Sequence, residues 1–509
     1  MKNLSRCGHR YMALLAVFGL TLLYCWRALS AEFIGGYDLI SNLLPVVHYR
    51  HAIFVEHRLP FTTDLWYGGR PQWQNPLWNF LYLPATIVWL TLPLKIGTTC
   101  IVVGHFLLSG WAAVRLARHF SRSQLDCFVG ALLLVSPIVV TLQLGHLEKL
   151  LAWPFVLYGL LRLLCGIDAT SREAKRHHLF WAGLCLGIMP LTGSNYYALY
   201  ATLLFSTLII GQAWTVQNRF WLGASIGLFH LPSVAYLIGV PRQVSSQSIA
   251  WYRTSWAQTL DALFLRRPDG PMVNESFSII GVGVGVLAVY FIFRPKNHVQ
   301  IRLLLAASLL TLLSTATLYQ WLPPLNAFRV PSRALAFVAL ALVTFVLYGL
   351  KITPFSGWQY WSARLLLLLS CLQILFVWVD VRPNGTPYWL HDGATTLAAH
   401  LDALNAKSVW FSTAQAGDML IPLALNQRGI ALPNVYYGGI NQTIQATGHH
   451  CSFSFDYLIL QERQPLSAVP LITSTFPQRY VGAIQPHNLR WQDTIIVNGT
   501  PRHLFAVVC

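Results

Sequence analysis

Long apolar runs alternate with short polar connections from Tyr11 to Val379. A helix needs about 20 apolar residues to cross a bilayer. The pattern predicts spanning helices near 11–30, 97–117, 125–143, 147–165, 179–193, 196–213, 219–238, 277–294, 301–320, 333–350 and 364–380. Pro76–Leu94 is also apolar, but Pro76, Pro84 and Pro93 punctuate it and argue against a plain spanning helix. The expected fold is a polytopic α-helical membrane domain over 1–380, with eleven spans and a re-entrant or interfacial segment at 76–94; twelve or thirteen spans stay open.

The pattern changes after Val379. Ala394–Leu404 has helical spacing, while Ser408–Ser412, Tyr457–Leu460, Tyr480–Ile484, Thr494–Val497 and Leu504–Val508 read as short strands. Residues 381–509 are therefore expected to form a separate α/β domain.

Composition sharpens this reading. Of 509 residues, 55% are hydrophobic and 10% charged, against about 25% charged in a soluble globular protein. So little charge cannot solvate an ordinary surface, and lipid must cover much of it. The net charge of +17 raises the question of nucleic acid, but its distribution argues against that partner. Residues 1–380 hold 28 Lys and Arg against 12 Asp and Glu, whereas 381–509 hold 7 against 6. Leaving 76–94 out of the spans puts the N-terminus, Arg115–Arg122, Arg172–Arg176, Arg294–Arg302, and Lys351 with Arg364 on one side. The positive-inside rule makes that side cytoplasmic and puts 381–509 outside. Loops 31–75, 144–147, 239–276 and 321–332 also fall outside. The first run reads as a retained helix, with a cleaved signal peptide ending near Ala28 and Ser30 as the alternative.

Seven of the nine cysteines lie in or beside apolar helices and read as packing residues; whether Cys451 and Cys509 pair stays open. There is no CxxC, HExxH, GxSxG or P-loop. Gly281, Gly283 and Gly285 sit inside an apolar helix and suggest close helix packing.

Candidate chemistry gathers on the outer side. Asp38 follows the first helix, where a carboxylate in reduced dielectric can take a hydroxyl proton, or simply cap an interfacial helix. Asp64, Trp66 and Tyr67 follow in the same loop, with aromatic faces able to stack on a sugar or to form an interface belt. The short turn Gly145–Lys149 holds His146 and Glu148; an acid at a bundle mouth is paired or functional, and Lys149 is the bland partner. Arg329 and Arg333, four apart at a helix start, suit a phosphate or snorkel to the interface. Tyr196, in Gly193-Ser194-Asn195-Tyr196-Tyr197, is a further candidate.

One helix, an outer loop with an early Asp, a His146-Leu147-xx-Leu150-Leu151-Ala152-Trp153-Pro154 turn, an Arg329-Val330-Pro331-Ser332-Arg333 turn and a final α/β domain occur in that order. This order resembles the YfhO-like bacterial membrane proteins and those labelled 6-pyruvoyl-tetrahydropterin synthase-related, within the wider GT-C glycosyltransferases. The resemblance implies a GT-C-like membrane glycosyltransferase in a bacterial inner membrane. Such an enzyme moves a sugar from a polyprenyl-phosphate donor to a glycan, lipid or protein acceptor of the cell envelope. It implies that Asp38 activates the acceptor, that Glu148 with His146 supplies a second acid, and that Arg329 and Arg333 hold the lipid phosphate. A possible divalent metal is left open, because the chain has one Asp after its first helix where the family pattern has an adjacent acidic pair. The rival readings are a lipid or solute transporter or flippase, and a non-catalytic envelope assembly protein.

Overall fold

The computed structural model describes residues 2–25, 33–34, 37–63, 70–71, 79–121, 123–144, 146–210, 253–265, 278–294, 297–320, 330–353, 355, 357–380, 385–386, 388–406, 409–412, 424–425, 428, 457–460, 469–470, 483–484, 489–497 and 500–507. Only the backbone is described at 2–11, 24–25, 37–42, 138–144 and 388–393 and in nearly every strand. In chain order the elements begin with α1 (Lys2–Cys25), β1 (Phe33–Ile34), α2 (Tyr37–Phe54), β2 (Thr62–Thr63), β3 (Arg70–Pro71) and α3 (Leu83–Thr91). Next come α4 (Leu94–Phe120), α5 (Gln124–Leu144), α6 (Leu147–Asp168), α7 (Arg172–Leu191), α8 (Asn195–Ile209) and the short α9 (Trp256–Leu260). Helices α10 (Val282–Ile292), α11 (His298–Ser314), α12 (Leu335–Ile352) and α13 (Gly357–Asp380) complete the apolar series. The chain ends with β4 (Gly385–Thr386), α14 (Tyr388–Ala403), β5 (Val409–Ser412), β6 (Tyr457–Leu460), β7 (Val469–Pro470), β8 (Ala483–Ile484), β9 (Leu489–Val497) and β10 (Thr500–Val507).

The chain divides into two compact units. The first comprises 1–29, 99–234 and 244–384; the second comprises 30–98, 235–243 and 385–509.

The first unit is helical among its described residues, and it has the helices of an integral membrane protein. Among the described residues, four segments are long and apolar enough to cross a bilayer by length and composition: Leu94–Phe120, Leu147–Asp168, Pro331–Ile352 and Gly357–Trp378. Shorter apolar helices are Met12–Leu23, Gln124–Pro137, Val282–Ile292 and His298–Ser314. The expected span at 219–238 lies outside the described residues. The expected span 277–294 is helical only from Val282, because Gly281 takes a left-handed φ of 85° that breaks the helix before it.

Helix α12 is apolar on every face and 78% of its spanning window is buried, which makes it the centre of the unit. Lipid supplies no hydrophobic drive between helices, so close packing has to hold them. At Gly283 an added Cβ would strike the backbone oxygen of Leu366, and at Gly281 it would come within 2.7 Å of Ser370. The three glycines expected to mark close packing do so, with Gly285 against Phe264. Ser370 and Gln373 then satisfy backbone groups at that seam: Ser370 Oγ accepts from Val284 N at 2.9 Å, and Gln373 accepts from Val282 N at 3.0 Å.

In the second unit, α3 has nine residues, less than half of a span, and its C-terminal carbonyls receive Arg50. Arg50 Nη1 donates to Trp89 O and Leu92 O at 2.7 Å each. Tyr49, buried on α2, holds Asn79 through its hydroxyl. Strand β1, just after α1, pairs antiparallel with β4, just after α13, with Phe33 opposite Thr386. A four-stranded sheet has the order β5-β6-β10-β9: β5 and β6 are parallel and the other pairs antiparallel. Strands β9 and β10 pair antiparallel along most of their length, with Val497 opposite Thr500.

Candidate functional site

Three sequence-predicted clusters meet at one end of the first unit. His146 precedes α6, Glu148 lies in its first turn, Tyr196 opens α8, and Arg333 lies in the 3₁₀ turn Pro331–Ala334 that leads into α12. Arg333 Nη1 is 3.9 Å from Glu148 Oε1, and His146 Nδ1 is 3.7 Å from the same oxygen. The Arg333 guanidinium lies over the Tyr196 ring at 4.8 Å. Glu148 pairs with Arg333 and not with the adjacent Lys149, since successive helical residues point in different directions.

A buried aromatic group positions these ends. Trp153 of α6, Tyr197 of α8 and Phe337 of α12 pack together with ring centroids 5.0–5.8 Å apart. Each edge-on pair is worth about 0.5–1.5 kcal/mol beyond its area. Tyr200 adds a fourth ring against Phe337 and donates its hydroxyl to Val330 O at 3.5 Å, fixing the turn that carries Arg333. Trp153 Nε1 donates to Leu134 O at 3.2 Å, tying α6 to α5.

Helix starts usually carry a side-chain cap for their free N–H groups. Here none of the three N-cap side chains, at His146, Ser194 and Val330, makes such a bond. Glu148 Oε2, Ser194 Oγ and Ser332 Oγ are buried with no hydrogen-bond partner among the described residues. Positive helix ends, a guanidinium and orphaned oxygens make a place where an anion with its own donors and acceptors can bind. Glu148 limits the positive field there.

Of the remaining sequence candidates, Asp38 is the second residue of α2, in the second unit, and its side chain lies outside what is described. Asp64, Trp66, Tyr67 and Arg329 lie outside the described residues. Among the described residues, no three His, Cys, Asp or Glu side chains gather as metal ligands would. Sequence reasoning missed Ser194 and Ser332, although both stand inside motifs it singled out. A lone serine carries no periodic signal, and only burial without a partner marks it.

No protein-family model matches the chain, and no curated protein sequence matches it. Among solved structures, the chain is similar to the Archaeoglobus fulgidus oligosaccharyltransferase in the apo form. That similarity has 11% identity and a TM-score of 0.46, and it covers 83% of this chain. The chain spans 64% of that protein, less than two thirds of its length. It is also similar to ArnT from Cupriavidus metallidurans bound to undecaprenyl phosphate. There the identity is 11% and the TM-score 0.42, over 83% of this chain and 75% of that one.

Proposed function

We propose that the chain is a GT-C-type membrane glycosyltransferase, moving a sugar from a polyprenyl-phosphate donor to an envelope glycan, lipid or protein acceptor on the outer face. The observation that carries this reading is the Arg333–Glu148–His146–Tyr196 cluster at three helix starts without side-chain caps. Arg333 and the helix N–H groups would hold the donor phosphate, stabilising the charge that grows as the sugar–oxygen bond breaks. The acceptor hydroxyl would form the new bond at the anomeric carbon, with inversion, and pass its proton to Asp38. Tyr196 would fix the guanidinium plane, and Arg329 would join it on the phosphate. Asp64, Trp66 and Tyr67 would line the acceptor path.

The finer topology belongs to the same proposal: eleven spans, a cytoplasmic N-terminus, an extracytoplasmic α/β domain over 381–509, and a place among the YfhO-like proteins of the bacterial inner membrane. The resemblance in motif order supports it.

Native mass spectrometry of the gently purified full chain tests the reading. A co-purifying polyprenyl-phosphate sugar that is lost in Arg333→Ala is expected. Recovery of ordinary phospholipid alone, unchanged by that substitution, would overturn it and favour a transporter or an assembly protein.

A further inference from the structure

A second cluster lies toward the opposite end of α6 from Glu148, and the proposed transfer makes no use of it. Trp111 and Arg115 come from α4, Tyr158 and Arg162 from α6, and His178 from α7. The Trp111 and Tyr158 rings lie 5.4 Å apart, tilted by 32°. Each ring carries a guanidinium: Arg115 over Trp111 at 5.7 Å and Arg162 over Tyr158 at 4.7 Å. Arg162 also donates to the Tyr158 hydroxyl, and its Nη1 lies 3.2 Å from His178 Nδ1. Arginine stays protonated and can only donate, so this imidazole nitrogen accepts and His178 adds no positive charge.

Two cations therefore share an aromatic pair, and neither has a carboxylate partner among the described residues. Arg162 Nε is buried with no hydrogen-bond partner among the described residues. Other arginines of the unit differ: Arg364 holds Asp126 at 2.8 Å, and Arg333 faces Glu148. Arg162 stands six residues before the end of α6 and Arg115 five before the end of α4, about 8–9 Å of helix rise. A charge at that depth is costly unless something compensates it. Leu108, 48% exposed, shares a helix face with Trp111 and Arg115 at spacings of three and seven. An exposed apolar approach to two cations suits an amphiphile better than a soluble ion.

We propose that Arg115 and Arg162 bind the headgroup phosphate of an anionic glycerophospholipid from the adjacent leaflet, its acyl chains lying along the Leu108 face. The forked donors suit a phosphate oxygen pair, and the basic loops beside this end make it the side where anionic lipid accumulates.

The test is a native mass spectrometry titration of the delipidated full chain with phosphatidylglycerol and with phosphatidylcholine of the same acyl chains. The wild-type chain should prefer phosphatidylglycerol by about tenfold, the worth of a charge-assisted contact. Arg115→Gln with Arg162→Gln should abolish the preference, and Arg333→Ala should leave it intact. Arg115 is exposed, so Arg115→Gln alone serves if the double variant does not elute as a folded species, and it should still weaken the preference. An unchanged preference in either variant would overturn the proposal. So would an equal loss in Arg333→Ala, or displacement of the lipid by millimolar inorganic phosphate, which would mark a soluble-anion site.

Discussion

Arg333, in the turn before α12, faces Glu148, in the first turn of α6, with Nη1 3.9 Å from Oε1 and both side chains largely buried. Two chain segments far apart in sequence thus place opposite charges at one end of a helical bundle. Pairing lowers the cost of burying each charge, and the cluster keeps an orphaned carboxylate oxygen beside it.

Removing one partner takes an opposite charge away from the other in a buried setting, a loss of about 3–5 kcal/mol for a well-buried pair. Arg333→Met and Glu148→Met are each expected to lower thermal stability in detergent, and the double variant to lose less than the two single losses together. Additive losses would show that the two charges are not coupled.

Asp38→Asn should abolish sugar transfer while the melting temperature stays near that of the unaltered protein. Full retained activity would remove Asp38 from the reaction and favour an assembly role. The comparison needs a transfer assay and a melting curve on the same preparation.

His48, fully buried on α2, is held at a pKa of about 3 by burial, with the Arg58 charge adding to the effect. The folded state keeps this ring neutral while the unfolded chain takes up a proton below its ordinary value of 6.5. Stability from this group is thus complete above that value and falls as pH drops from 6.5 toward 3. Protection factors of the amides in 43–54, taken relative to their intrinsic exchange rates, should fall between pH 7 and pH 5, and His48→Gln should flatten that dependence. A slope unchanged by His48→Gln would assign it to another group.

Gly283→Ala forces a methyl group against the Leu366 backbone, which no rotamer change can relieve. A cost of about 1–3 kcal/mol is expected from overpacking, read as a lower melting temperature. Gly104→Ala, with nothing within 4 Å of its added Cβ, is the control. Equal melting temperatures would deny the close seam between α10 and α13.

Much of the helical organisation was legible because a bilayer-length apolar run has few other uses. The prolines around α3 predicted that 76–94 is no plain span, and α3 has nine residues. Position within the bundle was not legible. Leu335–Ile352 and Gly357–Asp380 are both long apolar helices, yet their spanning windows are 78% and 33% buried. Lipid and protein interior are alike to an apolar side chain, so hydropathy cannot separate a central helix from a peripheral one.

The sequence by itself determined that the chain enters a membrane, and that His146, Glu148, Tyr196 and Arg333 stand at the ends of apolar segments. Only the tertiary structure decided that these four meet, that Arg333 and not Lys149 answers Glu148, and that Arg115 and Arg162 share one aromatic pair with no acid beside them among the described residues. The physical reason is that a helix fixes its neighbours three and four residues away. Which distant turn faces it depends on packing, here the contacts of Trp153, Tyr197 and Phe337 across three helices.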